Sequence, residues 1–144
     1  MRFILFLVIL LVGPGANLFA QVSPAWMQSL PNHYGKMIAL DSVNNAFVAG
    51  SDPLGYTIVT VKYDPAGNPL WQRVFDNPGT RELGTWVTVD KDGNAVVTGY
   101  NVIPSNGTPT GIIVLKYDTN GNLLWQDLIP NALGFALRAA TDAT

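Results

Sequence analysis

The sequence has no cysteine, one histidine (His33) and one glutamate (Glu82), and only 12% of its 144 residues are charged. Without cysteine, the chain can form no disulfide framework, no thiolate zinc site and no cysteine nucleophile, and it cannot carry a cysteine-anchored bacterial lipid. A single histidine and a single glutamate leave few side chains for acid–base chemistry. We therefore predict no catalytic, cofactor-binding or metal-binding residue and no cofactor.

Charge of either sign is scarce and nearly balanced. Eight basic residues stand against ten acidic ones, which gives a formal net charge of −2. A protein that binds nucleic acid or an anionic membrane surface usually shows a basic footprint, so we expect no nucleic-acid partner. Apolar residues make up 48% of the chain, which is enough to build a hydrophobic core.

Only one long apolar run is present, and it lies at the N-terminus. Arg2 precedes ten apolar residues at 3–12, and a Gly-Pro-Gly break follows at 13–15. Ten residues are too few to cross about 30 Å of hydrocarbon at about 1.5 Å per residue. Residues 1–20 are therefore predicted to be a signal peptide cleaved before Gln21, with a short uncleaved anchor as the alternative. We expect a secreted protein (extracellular, cell surface or periplasmic) with no membrane insertion after cleavage.

The rest of the chain repeats itself. Residues 62–72 (KYDPAGNPLWQ) and 116–126 (KYDTNGNLLWQ) are identical at eight of eleven positions, and residues 41–50 (DSVNNAFVAG) resemble residues 90–99 (DKDGNAVVTG). The length between the two blocks differs between the copies, which is typical of a loop. Repetition of whole motifs in matched order predicts a repeat architecture.

Each copy predicts four short strands. In the second copy they are residues 85–90, 95–100, 112–117 and 123–129, where Val, Ile, Thr, Tyr and Trp dominate, whereas Asp, Asn, Gly and Pro dominate the breaks. Helical periodicity is absent after residue 20. Four antiparallel strands about every 50 residues are typical of a β-propeller blade. An ordinary β-sandwich is the alternative.

The predicted fold class is therefore all-β, a partial β-propeller of four-stranded antiparallel blades. Trp71 and Trp125 occupy equivalent positions, and we expect both to supply apolar area where one sheet packs against the next. Within residues 21–144 we expect a strand that completes a blade (24–30), one blade (35–76), a second blade (84–130) and the first strand of a next blade (135–142).

These blocks resemble the β-propeller repeat of secreted bacterial proteins (SBBP-type repeat), whose usual form is close to D-x-x-G-N-x-x-V-T-G, an insert, then I-K-Y-D-x-x-G-x-x-x-W. The resemblance covers nearly all of residues 24–142. The first copy departs from it at Asn44, where the repeat usually has glycine, although asparagine also suits a tight turn. The resemblance implies an exported bacterial protein, often multi-domain, whose propeller binds or scaffolds, and it carries no catalytic residue.

Two blades cannot close a ring, since closed propellers use about four to eight. The missing blades are expected to come either from the rest of a longer chain, of which this would be the N-terminal fragment, or from other subunits. We favour the longer chain, because the strand expected near Trp26 suits a blade that strands from both ends of a chain complete.

Several candidate sites have a structural explanation that we prefer. The oxygen-rich segments 90–94 and 118–122 resemble calcium loops, but no bidentate acid follows at the EF-hand spacing, so we predict hairpin turns. His33 has no partner side chain nearby in sequence and is predicted to be a surface loop residue. Lys62 and Lys116 either line a central channel or, as we predict, are solvated strand ends that discourage edge pairing.

The longest predicted loop, 100–110, is the only candidate contact region, because binding residues often lie on loops held by rigid sheets. The predicted function is a non-catalytic, secreted module that binds or scaffolds an unknown protein or glycan partner. One alternative is an accessory propeller of an extracellular hydrolase. Another is a carbohydrate-binding propeller that uses Tyr34, Tyr56 and Tyr100.

Overall fold

The structure is a computed structural model that describes residues 25–103, 105–132 and 138–141. The predicted signal peptide at 1–20 lies outside the described residues, as do residues 135–137 and 142 of the expected next strand. Within the described part of the chain, no helix has the length and apolar character needed to span a bilayer.

The described residues form eight strands in two four-stranded antiparallel sheets, and within each sheet neighbouring strands follow one another in the chain. The predicted all-β class is confirmed. Sheet 1 contains β1 (Tyr34–Leu40), β2 (Ala46–Ser51), β3 (Ile58–Tyr63) and β4 (Pro69–Phe75). Sheet 2 contains β5 (Arg81–Val89), β6 (Ala95–Val102), β7 (Pro109–Tyr117) and β8 (Leu123–Pro130).

The two sheets share their irregularities as well as their strand order. The first strand has a bulge beside Gly35 in sheet 1 and beside Gly84 in sheet 2. The pairing of the third and fourth strands shifts after Lys62 in sheet 1 and after Lys116 in sheet 2. These positions are equivalent in the sequence repeat, so the repeat describes the backbone in detail.

Sheet 2 extends further than expected at the end where β5 begins. Glu82 pairs with Asn101 and Arg81 pairs with Val102, so β5 starts three residues before the expected boundary at residue 84. β6 and β7 also continue into the predicted loop and shorten it to residues 103–108. The extension is favourable because it buries the apolar side chain of Val102, which follows a shift in the pairing of β6 with β7.

The main core lies between the two sheets. In β7, residues 111, 113, 115 and 117 are buried and the residues between them are half-buried, which is the period-two pattern of a strand with one inner face. The buried apolar side chains between the sheets are Phe47, Ala49, Ile58 and Trp71 from sheet 1, and Val87, Ala95, Val97, Ile113, Leu115 and Tyr117 from sheet 2.

The gap between the sheets is narrow at β5 and wider elsewhere. β5 packs against β1 and β2, and a Cβ atom placed on Gly84 would lie only 2.6 Å from the Gly50 carbonyl oxygen. Far from this contact, large rings fill the gap: the Trp71 and Tyr117 ring centroids are 6.0 Å apart. The two sheets therefore approach each other closely where β5 meets β2, and large aromatic side chains lie between them at Trp71 and Tyr117.

A smaller apolar cluster covers the opposite face of sheet 1. Val59, Val61 and Tyr63 are buried there, and Trp26 and Leu30 pack over them. Residues 25–30, expected to form a strand that completes a blade, form no strand in the structure. These residues lie over the face of sheet 1 and contact it through their side chains. They form no backbone pairing with any of its strands.

Candidate functional site

In the described part of the chain, four tight turns close one end of the two sheets, which we call the turn end. They begin at Asp41, Asp64, Asp90 and Asp118 and share one hydrogen-bond pattern. In each turn, the aspartate Oδ1 accepts hydrogen bonds from the backbone N–H groups two and four residues later. The residue four positions later is always an asparagine, and its side-chain Nδ2 donates a hydrogen bond to the aspartate Oδ2. All of these distances are 2.7–3.1 Å.

This pattern confirms that segments 90–94 and 118–122 are hairpin turns. The carboxylate oxygens that a calcium ion would need are bonded to their own turn. Asn44 has a φ of 66° where the other turns have glycine, which explains how asparagine serves there. Among residues 25–103, 105–132 and 138–141, no three His, Cys, Asp or Glu side chains are placed to hold a metal ion.

His33 lies in the short segment before β1, as expected from the sequence. Its Nδ1 is 2.7 Å from the Pro31 carbonyl oxygen. The imidazole ring is therefore oriented by a backbone contact within its own turn. This contact explains the position of His33 without assigning it a chemical role.

Two lysines reach the turn end and pair with the first aspartate of each sheet. Lys116 Nζ lies 2.8 Å from Asp90 Oδ2, and Lys62 Nζ lies 3.8 Å from Asp41 Oδ2. The prediction that both are solvated strand ends is wrong for Lys62, which is 5% exposed. Sheet 2 covers it, because its Nζ donates to the Thr119 carbonyl oxygen at 3.2 Å.

The Lys116–Asp90 pair makes folding sensitive to acid. Burial by itself would raise the pKa of Asp90, but hydrogen bonds from Lys116 and Asn94 and the charge of Lys116 outweigh it and lower the pKa to about 2. The ionised form therefore stabilises the fold above the unfolded value of 3.8. This stability, about 2 kcal/mol for such a shift, is lost as the pH falls through about 2.

We expect Asp90→Asn to lower the free energy of unfolding by about 2 kcal/mol at pH 7 and to flatten its dependence on pH below 5. Urea unfolding followed by tryptophan fluorescence between pH 2 and pH 7 measures both effects. Asp92→Asn is the matched control, because Asp92 lies in the same turn with its side chain 68% exposed. An equal loss in the two variants would contradict the role of the Lys116 pair.

An open groove of about 250 Å³ lies at the turn end. Its walls are residues 40–42 at the end of β1, residues 89–91 at the end of β5, and Thr141. The first two segments occupy equivalent positions in the repeat, and residues 138–142 (RAATD) resemble residues 86–90 (WVTVD). Equivalent positions of the two sheets therefore meet around one groove together with Thr141, whose segment 138–141 forms no strand.

The opposite end of the sheets, the loop end, carries the tyrosines considered for carbohydrate binding. Tyr34 and Tyr56 are each 45% exposed, whereas Tyr100 is half-buried in β6. The Arg81 guanidinium lies over the Tyr56 ring, 5.1 Å from its centroid, and also donates to the Leu54 carbonyl oxygen. Two exposed rings thus lie at the loop end, one of them braced by a cation.

Glu82, which sequence reasoning passed over, is the most unusual titratable group. It is completely buried in β5. The Thr80 hydroxyl donates to its Oε1, while Oε2 has no hydrogen-bond partner among the residues that the structure describes. Asn101, paired with Glu82 across β5 and β6, also has a buried Oδ1 without a partner. Burial raises the pKa of Glu82, and the charges of two nearby aspartates raise it further.

The chain was compared with protein-family models and with curated proteins. Neither comparison gave a match. The arguments about function therefore depend on the residues and geometry described above.

We expect Glu82→Gln to stabilise the protein at pH 8 and to lose most of this advantage at pH 4. Because the folded pKa of Glu82 is raised above its unfolded value of 4.5, wild-type stability is greatest below that value and falls as the pH rises through the folded pKa. Glutamine removes the charge and keeps the shape. Urea midpoints at the two pH values test this.

Asp127→Asn, on the exposed strand β8, serves as the control for this comparison. Its replacement should change stability by less than about 0.5 kcal/mol at either pH. If Glu82→Gln is as neutral as Asp127→Asn at pH 8, burial of the carboxylate has no cost and the interpretation is wrong.

Proposed function

We propose that the two sheets are consecutive blades of a β-propeller of the kind that the SBBP-type resemblance implies, and that the protein is a secreted, non-catalytic module that binds or scaffolds a partner outside the cell. The observation that carries the proposal is the equivalence of the two sheets, which share strand order, bulges and turns. A propeller is built by such repetition around an axis.

The packing between the sheets favours a propeller over a sandwich. Blades radiate from a central axis, so neighbouring sheets are closest at their first strands and diverge outward. Two contacts support this arrangement: Gly84 of β5 approaches Gly50 of β2 so closely that no Cβ fits, whereas the large rings of Trp71 from β4 and Tyr117 from β7 meet between the sheets.

The groove at the turn end supports the same arrangement. In a propeller, the first strand of every blade borders the central channel. Residues 40–42, residues 89–91 and Thr141 belong to three successive repeats and line one groove. This is the arrangement expected of adjacent blades around a common channel.

We propose a non-catalytic protein because the acidic groups that could act in acid–base chemistry are held in structural contacts or buried. Asp41 and Asp90 accept hydrogen bonds within their turns and pair with lysines, and Glu82 is buried without access to solvent.

Binding is instead proposed for the loop end, where Tyr34 and Tyr56 are exposed and where side chains lie on loops held by rigid sheets.

Expression in a bacterial host tests the exported, non-catalytic function. We expect the chain outside the cytoplasm with Gln21 as its N-terminal residue by mass spectrometry, and no turnover of chromogenic ester, glycoside or peptide substrates. Retention of an uncleaved chain in the cytoplasm would contradict export. Turnover that follows the purified chain through two chromatographic steps would contradict the non-catalytic function.

The exposed tyrosines favour carbohydrate as a second candidate ligand, because aromatic rings provide flat apolar surfaces with a polar edge. On an array of immobilised oligosaccharides, Tyr34→Ala and Tyr56→Ala should each weaken binding at least tenfold. Val43→Ala is the control, since Val43 is 64% exposed at the other end of sheet 1. Unchanged binding in both tyrosine variants would remove this candidate.

A further inference from the structure

One contact occurs twice in the structure and joins successive repeats. The Trp71 ring of sheet 1 covers Gly121 in the last turn of sheet 2, so closely that a Cβ atom on Gly121 would lie 2.8 Å from the ring. The Trp26 ring covers Gly67, in the equivalent turn of sheet 1, and a Cβ atom there would lie 2.6 Å from it. We call this the tryptophan–turn contact.

The surroundings of the tryptophan–turn contact also repeat. The side chain two residues after each tryptophan donates to the carbonyl oxygen of the covered glycine: Gln28 Nε2 at 2.9 Å and Arg73 Nε at 2.6 Å. Each tryptophan ring also meets the tyrosine that ends the third strand of the covered sheet, Tyr63 at 5.7 Å and Tyr117 at 6.0 Å between centroids. The contact is therefore a defined interface element.

Trp125 occupies the same repeat position but covers no turn among the described residues. It is 46% exposed, and every residue of β8 is exposed. The same face of sheet 2 leaves Lys116 and Val114 half-buried, whereas their equivalents in sheet 1, Lys62 and Thr60, are buried under sheet 2. We call this the outer face of sheet 2, and it is equivalent to the face of sheet 1 that packs against sheet 2.

The chain returns to this outer face after β8. The Arg138 guanidinium lies over the Trp86 ring at 5.3 Å, and the Thr141 hydroxyl donates to the Val89 carbonyl oxygen at 3.0 Å. Both partners belong to β5. Residues 138–141 therefore pack beside β5, as β5 itself packs beside β1 and β2.

We infer that the outer face of sheet 2 binds a third four-stranded sheet of the same repeat, which residues 138–141 begin and in whose last turn Trp125 covers the glycine. This inference depends on the proposed blade arrangement and names the partner of its open face. The face that sheet 1 presents to sheet 2 supplies the geometry of the docking, except for the hydrogen bond of Arg73, because the equivalent residue of sheet 2 is Asp127, which cannot donate to a carbonyl oxygen.

A second copy of the chain fits this face less well. The turn that Trp125 would need is of the kind found at Asp64 and Asp118, and both of these turns are already covered by tryptophans of their own chain. Residues 138–141 also occupy the place beside β5 where the first strand of another copy would have to lie. A further repeat brings a free turn and continues the segment already there.

The test extends the chain by one repeat. Because residues 138–141 align with residues 86–89, a copy of residues 90–132 placed directly after Thr141 supplies the remaining strands of a third sheet. With 5-fluorotryptophan incorporated, Trp125→Phe assigns the ¹⁹F resonance of Trp125. In the unextended chain, a soluble gadolinium chelate should broaden this resonance. In the extended chain, most of that broadening should be lost.

Two comparisons decide the outcome. Gly121→Ala made only in the appended copy should restore the broadening of Trp125, because its Cβ blocks the ring. An extended chain in which Trp125 stays as accessible as before, or whose urea midpoint is unchanged, would overturn the inference. Protection of Trp125 in the unextended chain, together with a dimer mass by light scattering, would overturn it in favour of a second copy.

These readouts are independent of the proposed activity. Enzymatic turnover or cytoplasmic retention would contradict the proposed function without changing the accessibility of Trp125. Conversely, an exposed Trp125 in the extended chain would remove the third-sheet inference and leave export and binding to be judged by their own experiments.

Discussion

Replacing Trp71 with alanine is expected to lower the free energy of unfolding by about 3–5 kcal/mol, the usual cost of removing a large aromatic side chain from a core. Trp71 is 9% exposed and contacts Phe47 and Tyr117 with ring centroids 5.9 and 6.0 Å away. Its Nε1 also donates to the Thr119 carbonyl oxygen at 3.0 Å. The substitution thus opens a cavity between the sheets and removes one of the two donors to this oxygen, the other being Lys62 Nζ.

Trp125→Ala is the matched control for this substitution. Trp125 has the same neighbours in sequence, Leu before and Gln after, and the same place in its sheet, but it is 46% exposed. Its loss should cost less than about 1 kcal/mol. Urea unfolding at pH 7 compares the two variants. Equal destabilisation would mean that the tryptophan stabilises the protein through its strand propensity and not through packing between the sheets.

This pair shows what the sequence alone could not predict. From the repeat, Trp71 and Trp125 were both expected at a sheet interface, and the structure places only Trp71 in one. The local sequence sets the strand and the side-chain position, but burial depends on whether another sheet is present. That information lies in distant parts of a chain and is invisible in an eleven-residue motif.

The turns were predictable because their chemistry is local. An aspartate that accepts hydrogen bonds from its own turn and a residue with positive φ close each hairpin. Even the departure at Asn44 was correctly interpreted as compatible with a turn, because asparagine tolerates positive φ better than most residues. Strand order followed from short connections between alternating segments.

Lys62 and Glu82 were not predictable, for a shared physical reason. Charged side chains are seldom fully buried unless they are paired, so sequence reasoning assigned Lys62 to solvent and gave Glu82 no position. In the structure, sheet 2 supplies a carbonyl oxygen to Lys62, and the extension of β5 carries Glu82 into the interior. Both outcomes depend on contacts between residues far apart in sequence or on strand length.

Gly121→Ala is expected to be the second most damaging change, with a loss of about 2–5 kcal/mol. Gly121 has a φ of 81°, where a Cβ costs about 1–2 kcal/mol. The new methyl group would also lie 2.8 Å from Cδ2 of Trp71, so the ring must move, and such overpacking costs about 1–3 kcal/mol. Movement of the ring would also disturb the hydrogen bond from Arg73 to the Gly121 carbonyl oxygen.

Gly107→Ala separates the two causes. Gly107 has a similar φ of 69°, and no atom lies within 4 Å of the Cβ position, so this variant measures backbone strain alone. The excess loss in Gly121→Ala should be about 1–3 kcal/mol, and it should vanish in a Trp71→Ala background, where no ring remains to be displaced. If the excess persists without the indole, it arises in the turn itself or from Arg73, whose Cζ lies 3.1 Å from the Cβ position, and displacement of the tryptophan ring is not its cause.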